Sequence, residues 1–408
     1  APIGEKGYLK IKNKKVRIER IHLEEDTGKL IHPEGKDYSL IDFNRAGIPL
    51  MELVTEPDIE SASEARAFVH ELQLALRYLG VSGANMEKGE MRAEVNISLK
   101  EQRTANKEQK LGTKVEIKNL NSLRAVERAI EYEIERQKEI LERGKKIIQE
   151  TRGWDEKKEI TISQRKKEEA HDYRYFPEPD LLPLNLSEEF LREIKAEIPE
   201  LPQERRKRFE KEYGLGKKNI EVLVFNKELG EYFEKVVSEL RVWVKEKKDK
   251  LEITDEEFKK IAKIASNYIL TDLQGLLKDS STIKSERFLI TPENFAEFVS
   301  MIYTGEISSK IAKTLLKEMF DKGTDPSQII EEKGLSLISN ERKLEKIVKD
   351  VLDKNPKPVE DYKKGKETVL QFLIGQIMAQ TKGKANPQMV SKISVSYTHL
   401  TLPTICSV

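Results

Sequence analysis

Two short stretches of this chain gather carboxylates, an amide, an imidazole and cations: His22-Leu23-Glu24-Glu25-Asp26-Thr27-Gly28-Lys29, then Asp42-Phe43-Asn44-Arg45-Ala46-Gly47-Ile48-Pro49-Leu50-Met51-Glu52. Neither has the period of a surface helix. If a sheet brings Glu24, Glu25 and Glu52 close together, their like charges need a proton or a cation to compensate, and a hard divalent ion is the natural partner. Magnesium takes carboxylate and water oxygens and commonly bridges a substrate phosphate, while Lys29 or Arg45 would meet the remaining charge, Arg bidentately. That set suits phosphoryl transfer, in which positioning and charge do most of the catalysis. A surface salt-bridge cluster fits the same residues equally well at this level, and a lone His such as His22 is more often packed or hydrogen-bonded than a ligand. Neither G-x-x-x-x-G-K-[ST] nor G-x-G-x-x-G occurs to fix a nucleotide mode.

The elements that must position these groups can be read from periodicity. Residues 16–25 alternate as a strand, and 39–44 form a second, short one with Asp42 and Asn44 on the same side. Ser61-Ala62-Ser63-Glu64 is a capping box opening a helix with an apolar stripe of Ala65, Phe68, Leu72, Leu76 and Leu79, and Gly80 supplies its stop. Residues 90–99 are the clearest strand: Met91, Ala93, Val95, Ile97 and Leu99 face one way, and Arg92, Glu94, Asn96 and Ser98 the other. Residues 113–119 repeat the pattern with Val115 and Ile117 inward and Lys114, Glu116 and Lys118 opposite. A helix with Leu123, Val126, Ile130, Ile134 and Leu141 follows, then an alternating segment at 159–164. The expected result is an α+β fold, a largely antiparallel sheet with one face under helices and one polar face free to bind. From Leu186 onward the pattern is helical. Asn355-Pro356-Lys357-Pro358 reads as a loop, 367–381 as the last clear helix, and Lys363, Lys364, Lys366, Lys382 and Lys384 as either a phosphate-facing patch or an ordinary solvated surface.

Bulk properties narrow the class. The 408 residues exceed what one core usually serves, and 73 Lys and Arg nearly balance 72 Asp and Glu, which argues against a basic coat over the whole surface. One cysteine, Cys406, excludes an internal disulfide framework or a multi-cysteine zinc site in this chain, so a reducing, cytoplasmic location is the default. No stretch approaches the apolar length of a membrane span. The chain starts without Met, which is consistent with processing or N-terminal loss. From Val395 the composition loses Lys and Glu, and 395–408 is expected to be a non-native tail.

Six motifs in order carry a family resemblance: the two stretches above, Glu56-Pro57-Asp58, Met91-Arg92-Ala93-Glu94-Val95-Asn96, Glu116-Ile117-Lys118-Asn119-Leu120-Asn121-Ser122 and Asp172-Tyr173-Arg174-Tyr175-Phe176-Pro177. They resemble the B subunit of the aspartyl/glutamyl-tRNA(Asn/Gln) amidotransferases, the GatB family, over about residues 1–393. The resemblance implies ATP-dependent phosphorylation of the side-chain carboxylate of Glu-tRNA(Gln) or Asp-tRNA(Asn), then amidation with ammonia from a partner A subunit, with a small C subunit tying the complex together. It implies a cradle-like, mainly antiparallel domain over 1–190 bearing the kinase site, an all-helical domain over 191–318 and a small helical tail over 319–393 that contacts tRNA. By motif position Glu25 and Glu52 match magnesium ligands, with Glu24, Asp26 and Arg45 in the catalytic set. Lys29, Asn44, Arg92, Glu94, Asn96, Lys118 and Arg174 fall on the nucleotide and substrate side, and Lys364, Lys366, Lys382 and Lys384 on the tRNA side. The implied cofactors are ATP and Mg²⁺; the structural zinc of many members has no ligands here. A Gly-Leu-Glu-x-His segment that supplies further site ligands in the family is also absent, so this polypeptide alone is expected to bind the cation weakly and to be inactive. A non-catalytic tRNA-binding adaptor, and a different phosphoryl- or adenylyl-transfer enzyme on the same cradle, are the alternatives.

Overall fold

The computed structural model describes residues 2–100, 111–166, 185–248, 253–277, 283, 288–334, 341–364, 366, 368–381, 385 and 387–400. The chain divides into two compact units, Ala1–Leu201 and Pro202–Val408. The first is α+β and the second helical, the class expected from the periodicity.

In the first unit, β1 (Gly4–Ile11), β2 (Lys14–Glu25) and β5 (Pro49–Thr55) form an antiparallel sheet in the order β1-β2-β5. A small ribbon of β3 (Lys29–Ile31) and β4 (Leu40–Asp42) lies between β2 and β5 in sequence. Helix α1 (Ala62–Leu79) starts at Ser61, whose side chain accepts from the Glu64 amide, and ends at Gly80 with φ 71°. The reciprocal half of the capping box goes elsewhere: the Glu64 carboxylate accepts from the Glu60 amide at 2.9 Å and from Lys14 Nζ at 2.9 Å.

A second sheet, in the order β6-β7-β8-β9, comprises β6 (Ala93–Ile97), β7 (Val115–Leu120), β8 (Glu150–Asp155) and β9 (Ile160–Lys166), with α2 (Leu123–Glu142) between β7 and β8 in sequence. The single sheet expected from alternation is therefore two sheets and a ribbon. The β7–β8 pair is parallel, because the connection between them is the helix α2, long enough to return the chain in the same direction.

Helix α1 packs on both sheets. Phe68 meets Ile11 and Val16 of the first, while Ala62 and Ala65 join Ile97, Ile117, Val126 and Trp154 around the second. Each fully buried Val, Leu or Ile contributes roughly 1.5–3 kcal/mol. Ile117 and Leu120 are both buried although strict alternation would expose one of them. Asn119, at φ 66°, adds an extra residue to β7 opposite the register shift between Ala93 and Val95, and returns Leu120 to the core. α3 (Glu188–Glu197) closes the unit with no buried residue.

The second unit begins with α4 (Pro202–Tyr213), α5 (Lys217–Phe225), α6 (Lys227–Lys248) and α7 (Asp255–Tyr268), the last opened by a complete capping box of Thr254 and Glu257. A π-helical turn, Ile269–Leu273, leads into α8 (Gln274–Leu276). Then come α9 (Pro292–Thr304), α10 (Ser309–Lys322) and α11 (Pro326–Lys333). Phe209, Phe233, Phe295 and Phe298 are fully buried. The basic run at 205–208 lies in α4 and is spent on local pairs: Arg205 and Arg208 with Glu234, each at 2.5 Å, and Arg206 with Glu221 at 2.9 Å.

The last helices are α12 (Glu341–Lys354), α13 (Pro356–Lys363), α14 (Thr368–Gln380) and α15 (Pro387–Leu400), around Leu344, Val348, Leu373, Ile377 and Val390. Two expectations are corrected here. Residues 356–358 are helical, because Pro356 and Pro358 sit in a first turn whose amides have no intrahelical acceptor to lose. The helix at 368–380 is followed by another, which runs through the change of composition at Val395 and packs Tyr397 against the same core. Residues 401–408 lie outside the described residues.

Candidate functional site

The acid-rich stretches meet because β2 and β5 pair. Their register sets His22 opposite Glu52, Leu23 opposite Met51, Glu24 opposite Leu50 and Glu25 opposite Pro49. His22 Nε2 lies 2.7 Å from Glu52 Oε2, so the imidazole and the carboxylate are in contact across the β2–β5 pair. Alternate residues of a strand point to opposite faces, which separates the two neighbouring glutamates. Glu24 shares a face with His22 and Glu52; Glu25 shares the other with Leu23 and Met51, both exposed. The register thus brings Glu24, and not Glu25, to the side of Glu52.

Just past β2, Asp26 organises the loop that leads into β5. Its amide donates to Ile48 O at 2.8 Å and its carbonyl accepts from Gly47 N at 2.9 Å. Gly47, at φ 79°, takes the left-handed turn this needs. Arg45 Nε donates to Asp26 Oδ2 at 2.6 Å. The Asp26 carboxyl is held below the usual carboxylate range chiefly by the Arg45 hydrogen bond, which outweighs the opposing desolvation, and the charge of Arg92 adds to the effect. Arg92 precedes β6, so a charge from beside the second sheet acts on this carboxylate. The guanidinium of Arg45 makes no further bond to a described residue, which leaves its terminal nitrogens for an anion.

Lys29 lies opposite Asp42 in the β3–β4 ribbon. Asn44 is past the end of β4, in a turn rather than on the strand face with Asp42. Asp42 Oδ1 accepts from its amide at 2.9 Å and from its Nδ2 at 2.6 Å. Its polar group therefore serves the turn. Gly28 lies under the Phe43 ring, where a Cβ would come within 3.0 Å of two ring carbons.

On the second sheet, Arg92, Glu94 and Asn96 lie on the exposed face. Lys118 Nζ bonds Glu94 at 3.0 Å and lies 3.7 Å from Glu116. Partial burial favours the neutral amine, but the pairing with Glu94 and then Glu116 outweighs it and raises the pKa. Glu116 in turn accepts from Thr151 Oγ1 at 2.8 Å across the parallel pair.

Beneath this face is an ionic cluster that periodicity did not reveal. Glu133 of α2, fully buried, accepts from Arg136 Nη2 at 2.7 Å, Gln137 Nε2 at 2.9 Å and Thr161 Oγ1 at 3.1 Å. Arg152 of β8 donates to Thr161 Oγ1 at 2.7 Å and to Glu150 Oε1 at 2.7 Å. The only signal in the sequence is a set of polar residues at positions a core-facing pattern would fill with apolar ones, so alternation does not mark β8 as a strand.

Glu24 and Glu52 are the carboxylates that could hold a magnesium ion together, with substrate oxygens and water completing a shell of the usual kind. Among the described residues, no three His, Cys, Asp or Glu side chains converge as a group that could hold a metal. Arg174, Lys382 and Lys384 lie outside the described residues. Lys364 and Lys366, both exposed, pair with Glu360 at 3.9 Å and Asp361 at 3.2 Å. Among the described residues no helix is long and apolar enough to cross a membrane.

Residues 1–192 match the family model for the GatB/GatE catalytic domain, and residues 249–395 match a second, the GatB domain. In Thermotoga maritima, the B subunit of the aspartyl/glutamyl-tRNA(Asn/Gln) amidotransferase is 46% identical over 401 residues, covering 96% of this chain and 78% of that one. The chain belongs to the GatB family. Other GatB relatives are similarly close: the B subunits of Persephonella marina and of Caldanaerobacter subterraneus subsp. tengcongensis are 46% and 44% identical over 396 residues, with the same coverage of each chain. The GatB catalytic-domain match spans both sheets, and so contains every site residue of the first unit named above. Membership of the family makes an amidotransferase subunit of the chain.

Proposed function

We propose that the chain carries the kinase step of a tRNA-dependent amidotransferase, acting on Glu-tRNA(Gln) or Asp-tRNA(Asn). A side-chain carboxylate oxygen of the esterified amino acid attacks the γ-phosphorus of ATP, the bond to the bridging oxygen breaks, and ADP leaves. The acyl phosphate so formed has a leaving group that a carboxylate lacks. Ammonia, supplied by a partner A subunit, attacks the acyl carbon; phosphate departs, a proton is lost, and the amide remains. A C subunit completes the complex, which works in the cytoplasm.

The observation that carries this reading is the Asp26–Arg45 pair with the charge of Arg92 acting on it, beside the face of the β2–β5 pair that bears Glu24 and Glu52. Arg45, tethered by Nε, offers its terminal nitrogens to a phosphate or to the substrate carboxylate. Arg92 meets the charge that spreads over the transferring group. Lys118, kept protonated by Glu94 and Glu116, is a third cation on the same exposed side of β6 and β7. Asp26 and His22 orient their partners rather than react. Glu24 and Glu52 would hold a magnesium ion, which would supply positive charge to offset that of the phosphates. Lys364, Lys366, Lys382 and Lys384 are assigned to tRNA contact.

The test is transfer of labelled γ-phosphate from ATP to Glu-tRNA and Asp-tRNA, with the partner subunits and the Gly-Leu-Glu-x-His segment supplied, by wild type and Glu52→Ala. Loss of transfer in the variant is the expected result. Unchanged transfer would leave only an RNA-binding adaptor, and turnover on a free amino acid without tRNA would indicate a different kinase.

A further inference from the structure

The β1–β2 hairpin concentrates positive charge. Residues 4–20 contain seven Lys and Arg against two Glu, a net charge of +5 in a chain whose net charge is +1. One face of the hairpin is core: Val16 and Ile11 are buried against Phe68 of α1, with Leu9 packed beside them. The other face is solvent-exposed and places Tyr8 opposite Arg17 and Lys10 opposite Lys15. Lys15 Nζ sits 4.3 Å from the centre of the Tyr8 ring, which is 54% exposed. Lys12 occupies the turn at φ 52° and Lys6 has φ 57°, the left-handed region in which a lysine gains nothing that Gly or Asn would not provide at lower cost.

Lysines are common on edge strands, where they discourage pairing with other chains, and β1 is an edge. That role does not account for this face. Lys15 and Arg17 are on β2, the central strand, where there is no edge to protect, and Lys15 lies directly opposite Lys10. Within the hairpin and its neighbours, Lys14 is matched by Glu60 and Glu64, and Arg17 by Asp58. Arg20 lies beside Glu19, and by count the hairpin keeps its excess of five positive charges.

Position supplies the ligand. The bulge in β2 between Ile18 and Arg20 changes the parity, so the side that carries Lys15 and Arg17 continues as the side that carries His22 and Glu24. Nine residues of strand separate Lys15 from Glu24, about 30 Å at ~3.3 Å per residue. A substrate whose reacting end lies at Glu24 and Glu52 and whose body is a polyanion would pass over the basic end of the same face.

We propose that the exposed face of the β1–β2 hairpin, through Lys10, Lys12 and Lys15 with Tyr8 beneath, binds the phosphate backbone of the substrate RNA. This rests on the proposed kinase function and adds an RNA contact on the catalytic unit, separate from Lys364, Lys366, Lys382 and Lys384. The cations bind by charge and release counterions, so the contact is independent of base sequence and salt-sensitive.

The experiment compares wild type with Lys10→Gln/Lys12→Gln/Lys15→Gln and with the matching triple arginine variant, each assembled with the partner subunits. Binding of misacylated tRNA is followed between about 50 and about 200 mM salt, alongside phosphate transfer. Loss of three phosphate contacts lowers the slope of log affinity against log salt by about 2–3. The glutamine variant is expected to show that fall, at least a tenfold weaker affinity at low salt and a raised KM for tRNA, with the KM for ATP, the saturating rate and the melting temperature unchanged. The arginine variant should retain the wild-type slope. An unchanged slope and KM in the glutamine variant, with wild type binding and transferring normally, overturns the hairpin contact alone. Absence of phosphate transfer in wild type overturns the kinase reading and the hairpin contact with it.

Discussion

Arg45 holds Asp26 through a single nitrogen, Nε, at 2.6 Å, and so presents the rest of its guanidinium away from the carboxylate. Lysine can keep a charge at this position but not the fork. Arg45→Lys is expected to lower kcat/KM for phosphate transfer by about ten- to a hundredfold, with the fold intact by circular dichroism. Asp26→Asn should act in the same direction, because it frees Arg45 to wander. The double variant should be little worse than the poorer single one, as residues in one pair are not additive. Additive losses would show that the two act separately.

The two faces of β2 make a second prediction. Glu24→Gln and Glu52→Gln should each raise the magnesium concentration needed for half-maximal transfer by about ten- to a hundredfold, and Glu25→Gln should not. A loss confined to Glu25→Gln would mean that the β2–β5 register differs from the one described.

The buried cluster around Glu133 concerns stability. Removing one member leaves Arg136 and Arg152 with an unmatched charge beside the core. Glu133→Ala is expected to cost about 3–5 kcal/mol in urea unfolding, whereas Glu24→Gln, on an exposed face, should change it by less than about 0.5 kcal/mol. A small loss for Glu133→Ala would mean that water reaches the cluster.

Asp58 gives a pH dependence. Arg17 donates to it from Nε and from its backbone amide at 2.9 Å each, and from Nη2 at 2.6 Å. The side-chain bond from Arg17 is the main reason the carboxyl is held at about 2; desolvation opposes it and the backbone bond assists. Because the folded value lies below the unfolded one, the stabilisation is fully present above about pH 4 and is lost as pH falls toward about 2. Arg17 is largely exposed, so solvent screening limits the effect to about 1 kcal/mol. Asp58→Asn should flatten the unfolding curve of stability against pH in that window; an unaltered curve would assign the acid sensitivity to other carboxylates.

Local patterns explain how much of this molecule is legible in its sequence. Alternation at 93–97 and 115–117, the Ser61 cap and the Gly80 stop depend on residues within a few positions, and the structure forms them as read. β8 is illegible because its inward positions carry Arg152 beside Trp154, a partly buried polar group whose partners come from α2 and β9. The proline-rich start of α13 misleads for the opposite reason, since proline breaks a helix interior but suits a first turn.

The chemistry of the acid-rich stretches was determined by residue type and order alone: carboxylates, an arginine and a histidine close in sequence, in the arrangement of a family. Which of those carboxylates share a side was decided only by the tertiary structure. A strand has period two, so the pairing of β2 with β5 puts Glu24 beside Glu52 and sends Glu25 to the opposite face, and no local signal fixes that register. The influence of the Arg92 charge on Asp26 is likewise a product of packing two sheets about α1, because residues so far apart in sequence act on one another only when the core between them closes.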